Sequence, residues 1–168
     1  MSHHRFIASE EHLKHHDIVK CTLSDEDFPE TSQKLLKERD VFLNELEENA
    51  YFQIPDMEAP YNVKFGLYGN KLSVAASDQN GAEKINIFSL MPYHSLLAEY
   101  HDIKVMYQEI ITGLSSMQLE TIDMARRGLH NEAAEVITER LSGKIDIDFE
   151  TGRKIFSLLS VLIKVKDS

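Results

Sequence analysis

From Tyr61 the chain alternates: Tyr61, Val63, Phe65 and Leu67 are apolar, with Asn62, Lys64 and Gly66 between them. A period of two marks a half-buried strand, and Gly69-Asn70 supplies a two-residue hairpin turn. Leu72, Val74 and Ala76 give the return strand. Asn80-Gly81 makes the next turn, and Lys84 to Leu90 gives a third strand with Ile85 and Ile87 on one face. Strands joined by such short turns predict an antiparallel meander, one face of which must be covered by helices. Upstream, Asp17 to Leu23 is short and β-branched and predicts a further strand, with Cys21 packed inside it as an inert thiol.

Elsewhere the period is helical. After an acidic turn from Ser24 to Glu30, Leu35, Leu36, Phe42, Leu43 and Leu46 predict an amphipathic helix over Thr31 to Asn49, with Glu47-Glu48 on its solvated face. Pro92 suits a first helical turn, and Leu96, Leu97, Tyr100, Ile103, Tyr107, Ile110 and Ile111 follow as a stripe, both tyrosines being core aromatics and His94 and His101 surface residues. Ser115 with Gln118 is a capping-box pattern. Leu119, Ile122 and Ala125 then recur until Gly128, which suits the residue that ends a helix, and Asn131 suits the cap of a second one carrying Ala133, Val136, Ile137 and Leu141. Ser142-Gly143 closes that helix. Lys144 to Asp148 is a connection anchored by Ile145 and Ile147, with Asp148 the cap of a last helix and Thr151 at its third position. From Ile155 to Val165 that helix is apolar on most sides, as a central core helix or one at a subunit interface must be. The expected fold class is α+β: a small antiparallel β-meander of three to four strands packed by about four α-helices. Residues 17–168 form a single domain behind a flexible, His-rich tail of residues 1–16.

Charge narrows the partners. With 28 acidic against 18 basic residues the net charge is -10, which repels phosphate backbones and disfavours nucleic acid and membrane surfaces. One cysteine excludes an intrachain disulfide and a cysteine-based zinc site and fits a reducing cytoplasm. No apolar run approaches the ~20 residues of a membrane span, and the N-terminus lacks a signal peptide's apolar core. His3, His4, His12, His15 and His16 crowd the start, but no carboxylate or thiol completes a coordination shell there, so no metal site is expected. Nucleotide-binding glycine loops, the serine nucleophile elbow and the zinc-protease HExxH are all absent, and no cofactor is predicted.

The chemistry-bearing residues converge at Gly128: Asp123, Arg126, Arg127, His130, Asn131 and Glu132. An unbroken helix would set Asp123, Arg126 and His130 along one edge of the apolar stripe as half-buried polar groups that need one another. A helix broken at Gly128, the preferred geometry, would put two arginines beside the free amides of the next helix, a site for an anion. The bland alternative is an ordinary helix corner, which needs the same residues. Two function classes follow. One is a non-enzymatic binding or regulatory protein that takes a small anion or a protein partner at this corner, with self-association through the C-terminal helix. The other is a small hydrolase acting on a phosphorylated or carboxylated metabolite, in which the arginines clamp the anion and His130 with Glu132 transfers protons.

Four segments resemble a known family: IDMARRGLHNE (Ile122 to Glu132), RLSGKIDIDFETGRKIFSLLSVL (Arg140 to Leu162), KERD with LEENAYF (Lys37 to Phe52) and APYNVKF (Ala59 to Phe65). Together they look like the UPF0262 family of small alphaproteobacterial proteins, over most of the chain from Val19 to Leu162. His94-Ser95 departs from the family pattern, where a basic pair stands. The resemblance implies a bacterial cytosolic protein and brings no reaction with it.

Overall fold

The computed structural model describes residues 14–24, 33–110, 113 and 115–163. The expectations for His3, His4, His12, the acidic turn after Ser24, Ile111 and Val165 fall outside them. Along the described chain run β1 (Ile18–Leu23), α1 (Gln33–Glu48), β2 (Phe52–Gln53), β3 (Tyr61–Tyr68), β4 (Lys71–Asp78) and β5 (Glu83–Ser89). A 3-10 turn (Met91–Tyr93) leads into α2 (His94–Ile110), followed by α3 (Ser116–Leu141), β6 (Asp146–Ile147) and α4 (Phe149–Leu162). The architecture is α+β.

The meander forms as its alternation predicts: β3, β4 and β5 pair antiparallel, with Tyr61 opposite Asp78 and Leu72 opposite Phe88. β1 joins the other side of β3 in parallel, Cys21 beside Val63, so the sheet order is β1-β3-β4-β5 and the sheet is mixed. A parallel neighbour needs a long crossover, and α1 is part of it. β2 and β6 form a separate two-stranded antiparallel pair, so Asp146–Ile147 is a short strand and not only a connection.

One face of the sheet carries Tyr61, Val63, Phe65, Leu72, Val74, Ala76 and Phe88 into the core, where they meet Ile137, Leu141, Ile155 and Leu159 of α3 and α4. The last helix is the core helix, with Ile155, Phe156, Leu158, Leu159, Val161 and Leu162 all buried. Burying one large aliphatic side chain is worth about 1.5–3 kcal/mol, so this row is the main apolar anchor of the helical layer. The Asp148 carboxylate caps α4 by accepting the Thr151 amide at 2.8 Å, and Ser115 and Gln118 form the reciprocal capping box of α3. Gly143, at φ +90, follows α3 in the left-handed region, where a side chain would be strained.

Three local expectations are corrected. α3 is one helix through Gly128, and Asn131 caps nothing. A glycine inside a helix costs only about 1 kcal/mol, whereas continuing the helix keeps Leu129, Ala133 and Ile137 buried in register. Tyr107 is 40% exposed, because α2 carries its stripe past the core after Ile103, which still packs against it. Glu47 is half-buried and accepts the Cys21 amide at 2.8 Å, tying α1 to the edge of β1. Cys21 itself is buried, and burial, then the charge of Glu47, pushes its thiol up to about 12, the inert thiol expected.

Candidate functional site

With α3 unbroken, the six polar residues near Gly128 separate into two groups. On the exposed first half of the helix, Asp123 holds both arginines: Arg126 Nη2 donates to one carboxylate oxygen at 2.7 Å and Arg127 Nε lies 3.2 Å from the other. The Arg126 bond, then the two positive charges, hold the Asp123 carboxyl below its ordinary range despite some desolvation. This fork is a surface feature, with all three side chains between 42% and 55% exposed. Pairs so exposed contribute at most about 1 kcal/mol.

One turn on, His130 is buried. Its ring stacks on Tyr100 at 5.7 Å between centroids and meets the edge of Phe156 at 5.6 Å. Nε2 lies 2.8 Å from Ser157 Oγ, reaching from α3 to α4. Burial, then the charges of Arg153 and Arg126, lower the His130 pKa to about 4, so the imidazole is neutral at physiological pH. In its Nδ1-protonated tautomer Nε2 accepts the Ser157 hydroxyl proton. Asn131 faces the same helix, accepting from Arg153 Nη1 at 2.8 Å. Glu132 is exposed. Two residues along a helix is a rotation of about 200°, so His130 and Glu132 point apart and cannot form the base-and-orienter pair expected of them.

His130 and Ser157 open into a cleft of about 390 Å³ whose other lining residues are Lys14, Glu45, Glu48, Asn49, Glu150, Arg153 and Lys154. Lys14 is paired with Glu48 at 2.9 Å, and Lys154 Nζ donates to the Asn49 carbonyl. Arg153 makes no ion pair among the described residues; its partner is the neutral Asn131 amide oxygen. Arg126 and Arg127 do not line this cleft. A larger groove of about 1300 Å³ between α1 and the sheet holds no histidine and mixes Lys20, Arg39, Lys64 and Lys84 with Asp40 and Glu83. Among the described residues no group of His, Cys, Asp or Glu is arranged to hold a metal ion, and no helix is long and apolar enough to cross a membrane.

Arg153, Lys154 and Ser157 were not singled out by the sequence reading. Their signal is a polar line at positions 153, 157 and 160 on a helix otherwise rich in apolar residues, spaced to share one face.

The profile of the uncharacterised protein family UPF0262 matches residues 15–165. A UPF0262 protein of Methylobacterium radiotolerans is 36% identical over 146 residues, covering 86% of this chain and 91% of the relative. One from Roseobacter denitrificans is 37% identical over 153 residues, covering 86% and 96%. One from Mesorhizobium japonicum is 38% identical over 141 residues, covering 82% and 88%. No solved structure matches the chain.

Proposed function

The chain belongs to the UPF0262 family, and from its own geometry we propose that it is a binding protein for a small anion, a carboxylate or phosphate, taken up in the α3–α4 cleft. The observation that carries this reading is Arg153. Its guanidinium lines a cleft, is oriented by one bond to neutral Asn131, and has no carboxylate partner among the described residues. An arginine fixed in this way keeps donors for a bidentate anion. Lys154, neutral His130 and the Ser157 hydroxyl supply further polar contacts on the same wall. Glu45, Glu48 and Glu150 rim the cleft, which favours a ligand that also carries a positive or hydrogen-bond-donating group. This reading transfers the anion site from Arg126 and Arg127 to Arg153 and keeps His130 and Asn131 in it. It places the protein in the cytoplasm, where small acidic metabolites are at hand and a single thiol stays reduced.

The test is calorimetric titration of the purified chain with inorganic phosphate and with acetate, repeated on Arg153→Gln. Saturable binding in the parent that is lost in a folded Arg153→Gln supports the site. Equal heats in both proteins would remove it.

A second reading rests on the 2.8 Å approach of His130 Nε2 to Ser157 Oγ. In a hydrolase, Ser157 Oγ would bond to an acyl carbon as its proton passes to Nε2, and the leaving group would depart with that proton; water would then release the acyl group. Against it, no carboxylate among the described residues is bonded to the other ring nitrogen. Stoichiometric labelling of Ser157 by a fluorophosphonate, abolished in His130→Gln, would favour this reading over simple binding.

A further inference from the structure

The α3–α4 cleft has a donor end and an acceptor end. At the donor end Arg153 gives one N–H to Asn131 and keeps its others. Glu150 stands three residues before Arg153 and four before Lys154, a spacing at which ion pairs form on a helix. Neither cation takes it: Arg153 turns to Asn131, and Lys154 Nζ donates to the Asn49 carbonyl. The exposed Glu150 lies instead in the first turn of α4, where the helix dipole favours a carboxylate.

The acceptor end lies one turn further along α4. Ser157 follows Arg153 by four residues, a spacing of about 5–6 Å between Cβ atoms on one face. Its hydroxyl has one proton and two lone pairs. The 2.8 Å bond to His130 Nε2 uses the proton in one ring tautomer and a lone pair in the other. Either way at least one lone pair remains for a donor in the cleft.

Glu45 belongs to the same end. Asn49 meets Lys154 and Tyr51 meets Thr151, so the chain leaving α1 runs opposite to α4. Glu45 is one turn back from Asn49, whose amide its carbonyl accepts at 3.0 Å, and Ser157 is nearly one turn on from Lys154. The two therefore stand level on opposing walls of the cleft that both line. Glu45 is half-buried and makes no ion pair among the described residues, whereas Glu48 is neutralised by Lys14. Its neighbours three and four residues away on α1 and just beyond are Val41, Phe42, Glu48 and Asn49, none of them a cation. A plain carboxylate would be drawn to Arg153 and repelled by Glu45, and an amine the reverse. Opposite charges that line one cleft without neutralising each other suit a ligand that carries both.

We propose that the cleft takes a small amino acid as its zwitterion, the carboxylate on Arg153 and the ammonium between Ser157 Oγ and Glu45. This rests on the anion reading of Arg153 and names the ligand class. One helical turn is a span that the two charged ends of a short amino acid can bridge.

Calorimetric titration of the full chain with matched pairs tests this: glycine against acetate, β-alanine against propionate, and 4-aminobutyrate against butyrate. The members of each pair differ only in the ammonium group. At least one amino acid should bind about tenfold more tightly than its matched carboxylate. Glu45→Gln should abolish that preference without weakening the carboxylate, and Arg153→Gln should lose both ligands. Ser157→Ala, which leaves every charge in place, is the second variant and should reduce the preference; circular dichroism checks that each variant is folded. A parent that binds acetate or phosphate but prefers no amino acid overturns this proposal and leaves the anion reading standing. A parent that binds none of these probes removes both. A preference that survives Glu45→Gln and Ser157→Ala places the ammonium elsewhere and overturns the assignment.

Discussion

A Cβ on Gly152 would stand 3.0 Å from the carbonyl oxygen of Ala134, so α4 crosses α3 there almost backbone to backbone. The Thr138 hydroxyl, which donates to that same carbonyl, would also lie 3.0 Å away. Gly152 faces Ala134 and Thr138, while Ser157 faces His130; advancing along one helix means retreating along the other, so the pair is antiparallel. The close crossing is what brings Ser157 within bonding distance of His130. Gly152→Ala should cost up to about 2 kcal/mol net, the penalty of about 1–3 kcal/mol for forcing a methyl into a packed contact being offset by about 1 kcal/mol of helix propensity. Urea unfolding of the variant checks this; a variant stabilised by the full propensity gain of about 1 kcal/mol would mean that the crossing gives way to the methyl without cost.

His130 makes stability depend on pH. Its folded pKa of about 4 lies below the ordinary histidine value of 6.5, because burial, then Arg153 and Arg126, disfavour the charged ring. Above pH 6.5 both states hold a neutral ring and the contribution is full. As pH falls from there towards 4, the unfolded chain takes up a proton that the folded chain refuses, and stability declines. The loss is on the order of 3 kcal/mol. Denaturant unfolding across this window, comparing the parent with His130→Gln, should show the slope in the parent and a shallower one in the variant. Parallel curves would show that His130 is not the titrating group.

Asp148 accepts the Thr151 amide at 2.8 Å, while the Thr151 hydroxyl accepts the Tyr51 amide at 2.9 Å. The first turn of the core helix is thus fastened both to its own cap and to the chain beside β2. Asp148→Ala should cost about 0.5–2 kcal/mol. Thermal melting would register it, and a loss below this range would mean that water replaces the cap.

Local chemistry made the meander, the caps and the core helix legible: alternation fixed Tyr61 to Ser89, and Ser115 and Asp148 were identifiable as caps. Two things were hidden because they depend on partners distant in sequence. β1 pairs with β3 in parallel, which no local turn announces. Gly128 signalled a helix end, yet the burial of Leu129 and Ala133 against α4 outweighs its modest propensity cost. The same dependence hid the side-chain partners. His130 and Asn131 were singled out from their neighbours in sequence, whereas their actual partners, Ser157 and Arg153, are 27 and 22 residues away.

The Asp123 fork allows a sharper separation of Arg126 from Arg127. Both arginines pair with Asp123 at comparable exposure, so either alanine variant should change stability by less than about 1 kcal/mol. Their effects on His130 should differ. Arg126 lies four residues before His130, on the same side of α3, and its charge helps lower the pKa of the ring; Arg127 has no such influence. Arg126→Ala should therefore raise the His130 pKa, and Arg127→Ala should leave it in place. An NMR titration of the His130 ring protons reads this directly, with the stability of each variant measured alongside. If Arg127→Ala moves the titration as far as Arg126→Ala does, the two arginines act as one undirected patch, and the positive field at the cleft does not come from Arg153 and Arg126 in particular.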